Sequence, residues 1–185
     1  MELFETIFSR QSIGKVRPDP LPRETIEKLL SAAVQAPNHY KVRPWRFVVV
    51  SGLARAELGK VMAESLLTQN PSLPPEAAEK ERTKPLRAPV VIAVGVEKPA
   101  EPKVSEIENI AAVAAACQNI LLAATALGLG AIWRTGPAAL DLRVKAWLGL
   151  DSDQHLLGMI YIGYPDHSPV AVTRPGFDER TIWKD

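Results

Sequence analysis

Residues 106–136 read EIENIAAVAAACQNILLAATALGLGAIWRTG. From 106 to 127 the residues are small and apolar almost all round, so the stretch is predicted to be the longest helix, central or at an interface. Gly128-Leu129-Gly130 closes it and leads into a short strand, Ala131-Ile132-Trp133. That order decides the fold class. A dinucleotide-binding fingerprint runs strand, glycines, helix, so that a phosphate meets a helix N-terminus. Here the glycines follow a helix and precede a strand, which is what a helix C-cap needs. No Gly-Lys-Ser/Thr follows a glycine-rich loop, so a P-loop is excluded as well. Residues 110–129 are the one membrane-span suspect, but Gln118 and Asn119 interrupt them, and their alanine content fits a buried helix.

Working outward, three further apolar runs read as strands: RFVVV at 46–50, PVVIAVGV at 89–96 and LLGMIYIGY at 156–164. The second is nearly continuous, the pattern of a strand buried on both faces. Leu3, Phe4, Ile7 and Phe8 give a short amphipathic helix over 2–9. Ile26, Leu29, Leu30, Ala33 and Val34 give a second helix from Pro22, terminated before Pro37. Residues 54–67 are helical, with Leu58, Val61, Met62 and Leu66 as the apolar face, and 140–148 form another helix. Residues 68–88 are polar and proline-containing, with a charged helical piece at 75–84, and are expected at the surface as a lid. The tail from 165 to 185 is irregular, and its aromatic end is expected to pack on something outside its own core. With no internal repeat, residues 1–185 are expected to form a single α+β domain.

Balanced charge, 22 Lys+Arg against 21 Asp+Glu, argues against a nucleic-acid binder. A hydrophobic fraction of 46% argues against disorder along the chain. The single Cys117 cannot form an intramolecular disulfide, and MELFETIFSR has no basic n-region or long apolar core. The expected location is therefore cytoplasmic. His39, His155 and His167 have no metal-ligand spacing, so no metal site is expected. Apolar neighbours argue against a nucleophilic Cys117.

Three polar clusters carry the candidate chemistry. Arg10-Gln11-Ser12 offers a guanidinium, an amide and a hydroxyl, a set suited to phosphate, although an arginine answering a helix dipole is the simpler reading of the triplet alone. Ala36-Pro37-Asn38-His39-Tyr40-Lys41-Val42-Arg43-Pro44-Trp45 is too rich in donors for a plain connection and reads as a binding loop. Trp133-Arg134-Thr135-Gly136 ends a strand where glycine lets backbone approach a planar ligand.

Together these clusters resemble the nitroreductase family of flavin enzymes, over nearly the whole chain. Arg10-Gln11-Ser12-Ile13 looks like the family's opening Arg-Arg-Ser-x motif, and Ala36-Pro37-Asn38-His39 through Arg43-Pro44-Trp45-Arg46-Phe47 looks like its Ala-Pro-Ser…Gln-Pro-Trp-x-Phe segment. The long helix, Gly-Leu-Gly and Trp133-Arg134-Thr135-Gly136 match its central helix and following strand, and the length matches a short bacterial branch of NAD(P)H nitroreductases. The resemblance implies a mostly antiparallel central sheet flanked by helices, in an intertwined homodimer with FMN in each of two interface clefts. Arg10 and Ser12 would hold the FMN phosphate with Gln11 beside them. Pro37, Asn38, His39 and Lys41 would approach from the partner subunit, and Trp133, Arg134 and Thr135 would line the isoalloxazine ring. No residue would be catalytic in its own right, because the flavin carries the chemistry: hydride from NAD(P)H, then ping-pong reduction of nitroaromatic or quinone-like acceptors. A specialised flavin oxidase or dehalogenase and a non-catalytic flavin-binding dimer are the alternatives. The sequence departs from the family pattern at three places. Gln11 and Gly14 stand where basic residues are usual, leaving Lys15 or Arg17 to substitute, and Arg43 replaces a glutamine. Weaker FMN retention is the expected consequence.

Overall fold

The computed structural model describes residues 2–184, with the backbone alone at Ala138 and Ala139. Its elements run α1 (Leu3–Ser9), α2 (Arg23–Ala33), β1 (Trp45–Ser51), α3 (Ala54–Gln69), α4 (Pro75–Thr83), β2 (Val90–Val96), α5 (Glu106–Ala126), β3 (Gly130–Arg134), α6 (Pro137–Leu140), α7 (Leu142–Trp147) and β4 (His155–Gly163). The four strands form one sheet in the order β1-β2-β4-β3, every neighbouring pair antiparallel. The α+β expectation holds.

The continuous apolar run of β2 is buried at every residue, because helices cover both faces of the sheet. On one face Val90, Ile92 and Val94 join Ile160 and Ile162 against α5 and α2, through Val113, Cys117, Ile120 and Leu29. On the other face Val91 and Ala93 join Met159 and Tyr161 against Leu58 and Met62 of α3 and Val144 of α7. Alternation along each strand divides the core in two. Helix α5 starts at a capping box between Ser105 and Glu108. It ends where Gly128, at φ 71°, lets Leu129 N–H return to the carbonyl of Ala124, a glycine C-cap. Among the described residues α5 alone is long and apolar enough to cross a membrane; its buried face of Ala112, Val113, Ala116, Cys117 and Ile120 makes it the core helix.

One detail differs from the sequence expectation, and a second adds to it. Residues 140–148 are not one helix: the Asp141 carboxylate accepts from the N–H groups of Arg143 at 2.8 Å and Val144 at 3.2 Å, capping α7 and breaking it from α6. The 68–88 segment is docked rather than free-standing. A Cβ on Gly59 would lie 1.9 Å from the Arg82 carbonyl oxygen, so α3 and α4 meet backbone to backbone at a position only glycine fits.

Candidate functional site

The loop after α1 is tied to the edge of the sheet. Ile13 N–H donates to Ala131 O at 2.9 Å, Arg17 N–H donates to Tyr164 O at 2.8 Å, and Val16 makes a bridge to Pro165. These bonds hold one wall of a cleft of about 680 Å³, lined by Ser12, Lys15, Arg87, Arg134 and His167 among others, with Asp166 as the acidic member. Arg134 also lines a smaller cavity of about 110 Å³, with Thr135, Gly136, Met62, Met159 and Tyr161 around it and Glu81 and Lys84 of the α4 region, themselves an ion pair, at its rim.

Strand alternation explains what β3 contributes. Ile132 packs on the α3–α7 core and Trp133 on the opposite, α5 core, so Arg134 emerges on the Ile132 side. Its guanidinium carbon stands 5.9 Å from the Tyr161 ring centroid, in cation–π range. Burial pushes the Tyr161 phenol up to about 12, and Glu81 adds to that while Arg134 and Arg87 oppose it; the hydroxyl remains a donor at neutral pH. The Trp133 side chain lines neither cavity, and its Nε1–H is buried without a hydrogen-bond partner among the described residues.

The first polar cluster divides its work. Gln11 lines the large cleft but its amide donates to Val170 O at 2.7 Å, fastening the C-terminal tail. Arg10 lines neither cavity; partial burial and the neighbouring charge of Arg174 pull its guanidinium down from its usual range. Arg174 itself donates to Phe8 O at 3.1 Å and to Arg10 O, closing the last turn of α1. Lys15 faces the cleft, whereas Arg17 is turned away to Asp19 at 3.5 Å and the Tyr164 ring at 5.2 Å.

The 36–45 loop lies elsewhere. It feeds β1 at Trp45, paired with Val96, while the Ile13 loop joins the sheet where Ala131 faces Ile162, the partner of Val90. The two loops therefore stand at opposite ends of β2, roughly 20 Å apart along the strand. Tyr40, Lys41 and Arg43 all hold positive φ, 51°, 55° and 53°, strain that a loop keeps only when its surroundings fix it. Asn38 does so: its Oδ1 accepts from Arg43 N–H at 2.9 Å. His39 sits 3.9 Å from Glu108 of α5, with its ring edge-on to Tyr40, and Pro37, His39 and Lys41 are exposed. Within one chain, then, Gln11, Ser12, Arg134 and Thr135 gather around adjoining cavities, and Pro37, Asn38, His39 and Lys41 do not join them. Sequence reasoning missed Arg87, Lys84, Tyr161 and the two methionines. None sits in a local motif, and only the folding of β4 and the α4 segment brings them to Arg134.

The nitroreductase family model matches residues 7–164, taking in the Ser12 loop, the 36–45 loop and β3. A Methanothermobacter thermautotrophicus protein whose provisional name is NADH dehydrogenase/NAD(P)H nitroreductase is 35% identical over 98% of this chain and 86% of its own. The structure of a nitroreductase-like family protein from Bacillus cereus superposes with a TM-score of 0.86 at 24% identity, covering 100% of this chain and 97% of that one. A nitroreductase structure with bound FMN from Bacteroides fragilis superposes at 0.76 with 22% identity, covering both chains completely. With a family model spanning the sheet, the central helix and the Ser12, Lys15 and Arg134 side of the cleft, this chain belongs to the nitroreductase family.

Proposed function

We propose that the chain is an FMN-dependent oxidoreductase that takes hydride from NAD(P)H and reduces nitroaromatic or quinone-like acceptors by a ping-pong cycle, as a homodimer. One observation carries the reading: Ser12, Lys15 and Arg134, drawn from segments more than a hundred residues apart in sequence, line one cleft of about 680 Å³. FMN has an anionic end and a flat, largely apolar end. The cleft offers a hydroxyl and cations with no ion pair among the described residues to the first; the adjoining cavity offers Met62, Met159 and Tyr161 to the second. At Gly136, its chain neighbours aside, no atom among the described residues lies within 4 Å of where a Cβ would stand, so backbone there is open to close approach. The name of the Methanothermobacter relative and the FMN in the Bacteroides structure point the same way.

In this reading Ser12 serves the phosphate side with Gln11 beside it, Arg10 backs their loop from outside both cavities, Arg134 stands where the two cavities meet, and Thr135 serves the ring side, with Trp133 backing the strand that presents them. Pro37, Asn38, His39 and Lys41 are supplied by the second subunit. Bound FMN supplies two-electron redox chemistry. The protein's part is electrostatic: the Arg134 guanidinium lines both cavities and so favours negative charge where they meet. The test is anaerobic stopped-flow absorbance of FMN-reconstituted protein mixed with NADH and, separately, NADPH. Rapid bleaching of the oxidised flavin band, reversed by a nitroaromatic or a quinone, is expected. Flavin that binds and stays oxidised with both donors would sink the proposal.

A further inference from the structure

Arg87 belongs to none of the segments with recognisable motifs. It ends the 3-10 turn 84–87 that follows α4, and it is exposed. It nevertheless lines the large cleft beside Lys15 and Arg134. None of these three cations has a carboxylate partner among the ion pairs of the described residues, whereas Arg17, Arg23, Arg46 and Arg82 each have one. Gly14 makes room for the arrangement. A Cβ there would stand 3.3 Å from an Nη atom of Arg134, so the guanidinium fills the space over residue 14 that a side chain would take. Arg87 and Arg134 also both bear on the Tyr161 phenol, which shows them converging from two elements. His167 and the Ser12 hydroxyl complete the set, with Asp166 as the one acid. Three cations stand against one carboxylate in a concave site with a hydroxyl donor, and guanidinium forks match the oxygens of a phosphate.

We propose that Arg87, with Arg134 seated over Gly14 and Lys15 beside them, forms a phosphate-monoester subsite in which the inserted 68–88 segment supplies a cation that the Arg10-Gln11-Ser12 loop lacks. The cleft itself is the basis for the subsite; the flavoenzyme reading above identifies its first candidate ligand, the 5′-phosphate of FMN. The 2′-phosphate of NADPH has the same chemistry, and the experiment separates them.

Wild-type protein, Arg87→Ala and Arg87→Lys are titrated with FMN and riboflavin by flavin fluorescence, and the FMN-loaded forms with NADP⁺ and NAD⁺ by calorimetry. Arg87→Ala is expected to weaken FMN roughly ten- to a hundredfold, the range for a charge-assisted contact, while riboflavin changes less than twofold. Arg87→Lys falls between, because it keeps charge without the fork. Inorganic phosphate is expected to compete with FMN at constant ionic strength in wild type, and less so in Arg87→Ala. A loss confined to NADP⁺ over NAD⁺ keeps the subsite and assigns it to the nicotinamide ribose. Equal weakening of FMN and riboflavin, or shifts under twofold in both pairs, overturns it. Should the wild type bind neither flavin, the flavoenzyme reading fails on its own, and direct calorimetry of inorganic phosphate on wild type and Arg87→Ala still decides the subsite. Arg87 is exposed, so an unchanged melting temperature is the expected control.

Discussion

Cys117 and Tyr161 are the two buried acids whose protons the fold holds most tightly. Burial pushes the Cys117 thiol up to about 12 from an ordinary 9.0, and the Tyr161 phenol up to about 12 from 10.0. The folded state therefore keeps both protons where the unfolded chain would release them. Their contribution to stability is fully present below pH 9 and is lost between about pH 9 and 12, first for the thiol and then for the phenol. Each group steepens that fall by up to about 1.4 kcal/mol per pH unit. Denaturant titrations at a series of alkaline pH values should show the limb, and Cys117→Ala should flatten its onset near pH 9. A wild-type stability that stays level from pH 8 to pH 11 would contradict the burial argument. Cys117 should also resist a thiol reagent at pH 8 until the protein unfolds. Its inertness was legible in sequence, from the apolar residues around it. The opposed directions of Trp133 and Arg134 were legible too, in the two-residue period of a strand, but grouping them as one motif obscured it. Arg87 and Tyr161 had no such local signal, since their neighbours in sequence differ from their neighbours in space.

At the scale of elements, what the chain could announce depended on whether periodicity or a single side chain set the structure. Apolar runs marked all four strands, the 3.6-residue pattern marked α2 and α3, and an apolar surface almost all round marked α5, each to within a few residues. The break between α6 and α7 rests on one carboxylate, Asp141, and an unbroken helical reading passes over it. The docking of α4 rests on one missing side chain. Burial of Gly59 against Arg82 explains why a segment with a charged sequence and no buried residue of its own is still fixed in place. Gly59→Ala forces a carbon into a carbonyl oxygen 1.9 Å away, so α4 must move off α3. We expect a cost of about 1–3 kcal/mol, the usual range for overpacking, with faster amide exchange over 75–83. Because Glu81 and Lys84 line the smaller cavity and Arg87 the cleft, the same variant should also weaken ligand binding at a distance. Unchanged exchange in α4 would show that the hairpin tolerates separation and would remove Gly59 as its anchor.

For the whole molecule the decisive surface is the one that a single chain leaves uncovered. Helix α1 has seven residues, of which only Thr6 is buried, and a helix that short is not stable in water on its own. Its apolar face points outward, with Phe4 69% and Phe8 70% exposed and their rings stacked 6.1 Å apart. The tail does the same, leaving Ile182 86% and Trp183 75% exposed. Full burial of each such side chain would contribute about 1.5–3 kcal/mol, which gives the face a strong drive to find a partner. A second observation asks for a second copy. The strained 36–45 loop sits at the far end of the sheet from the Ser12–Arg134 cleft of its own chain, so residues 37–41 can serve such a cleft only in another subunit. The homodimer proposed above would answer both needs, because each chain would then give its loop and receive the other's. Light scattering behind a sizing column should find twice the 20.2 kDa chain mass. Phe4→Asp with Phe8→Asp should yield a folded monomer whose FMN affinity falls together with its dimerisation, whereas Lys41→Ala should weaken FMN and leave the dimer intact. A wild-type monomer that binds FMN as tightly as any concentrated sample would separate the cleft from the exposed face, and the loop at 36–45 would then need a ligand of its own.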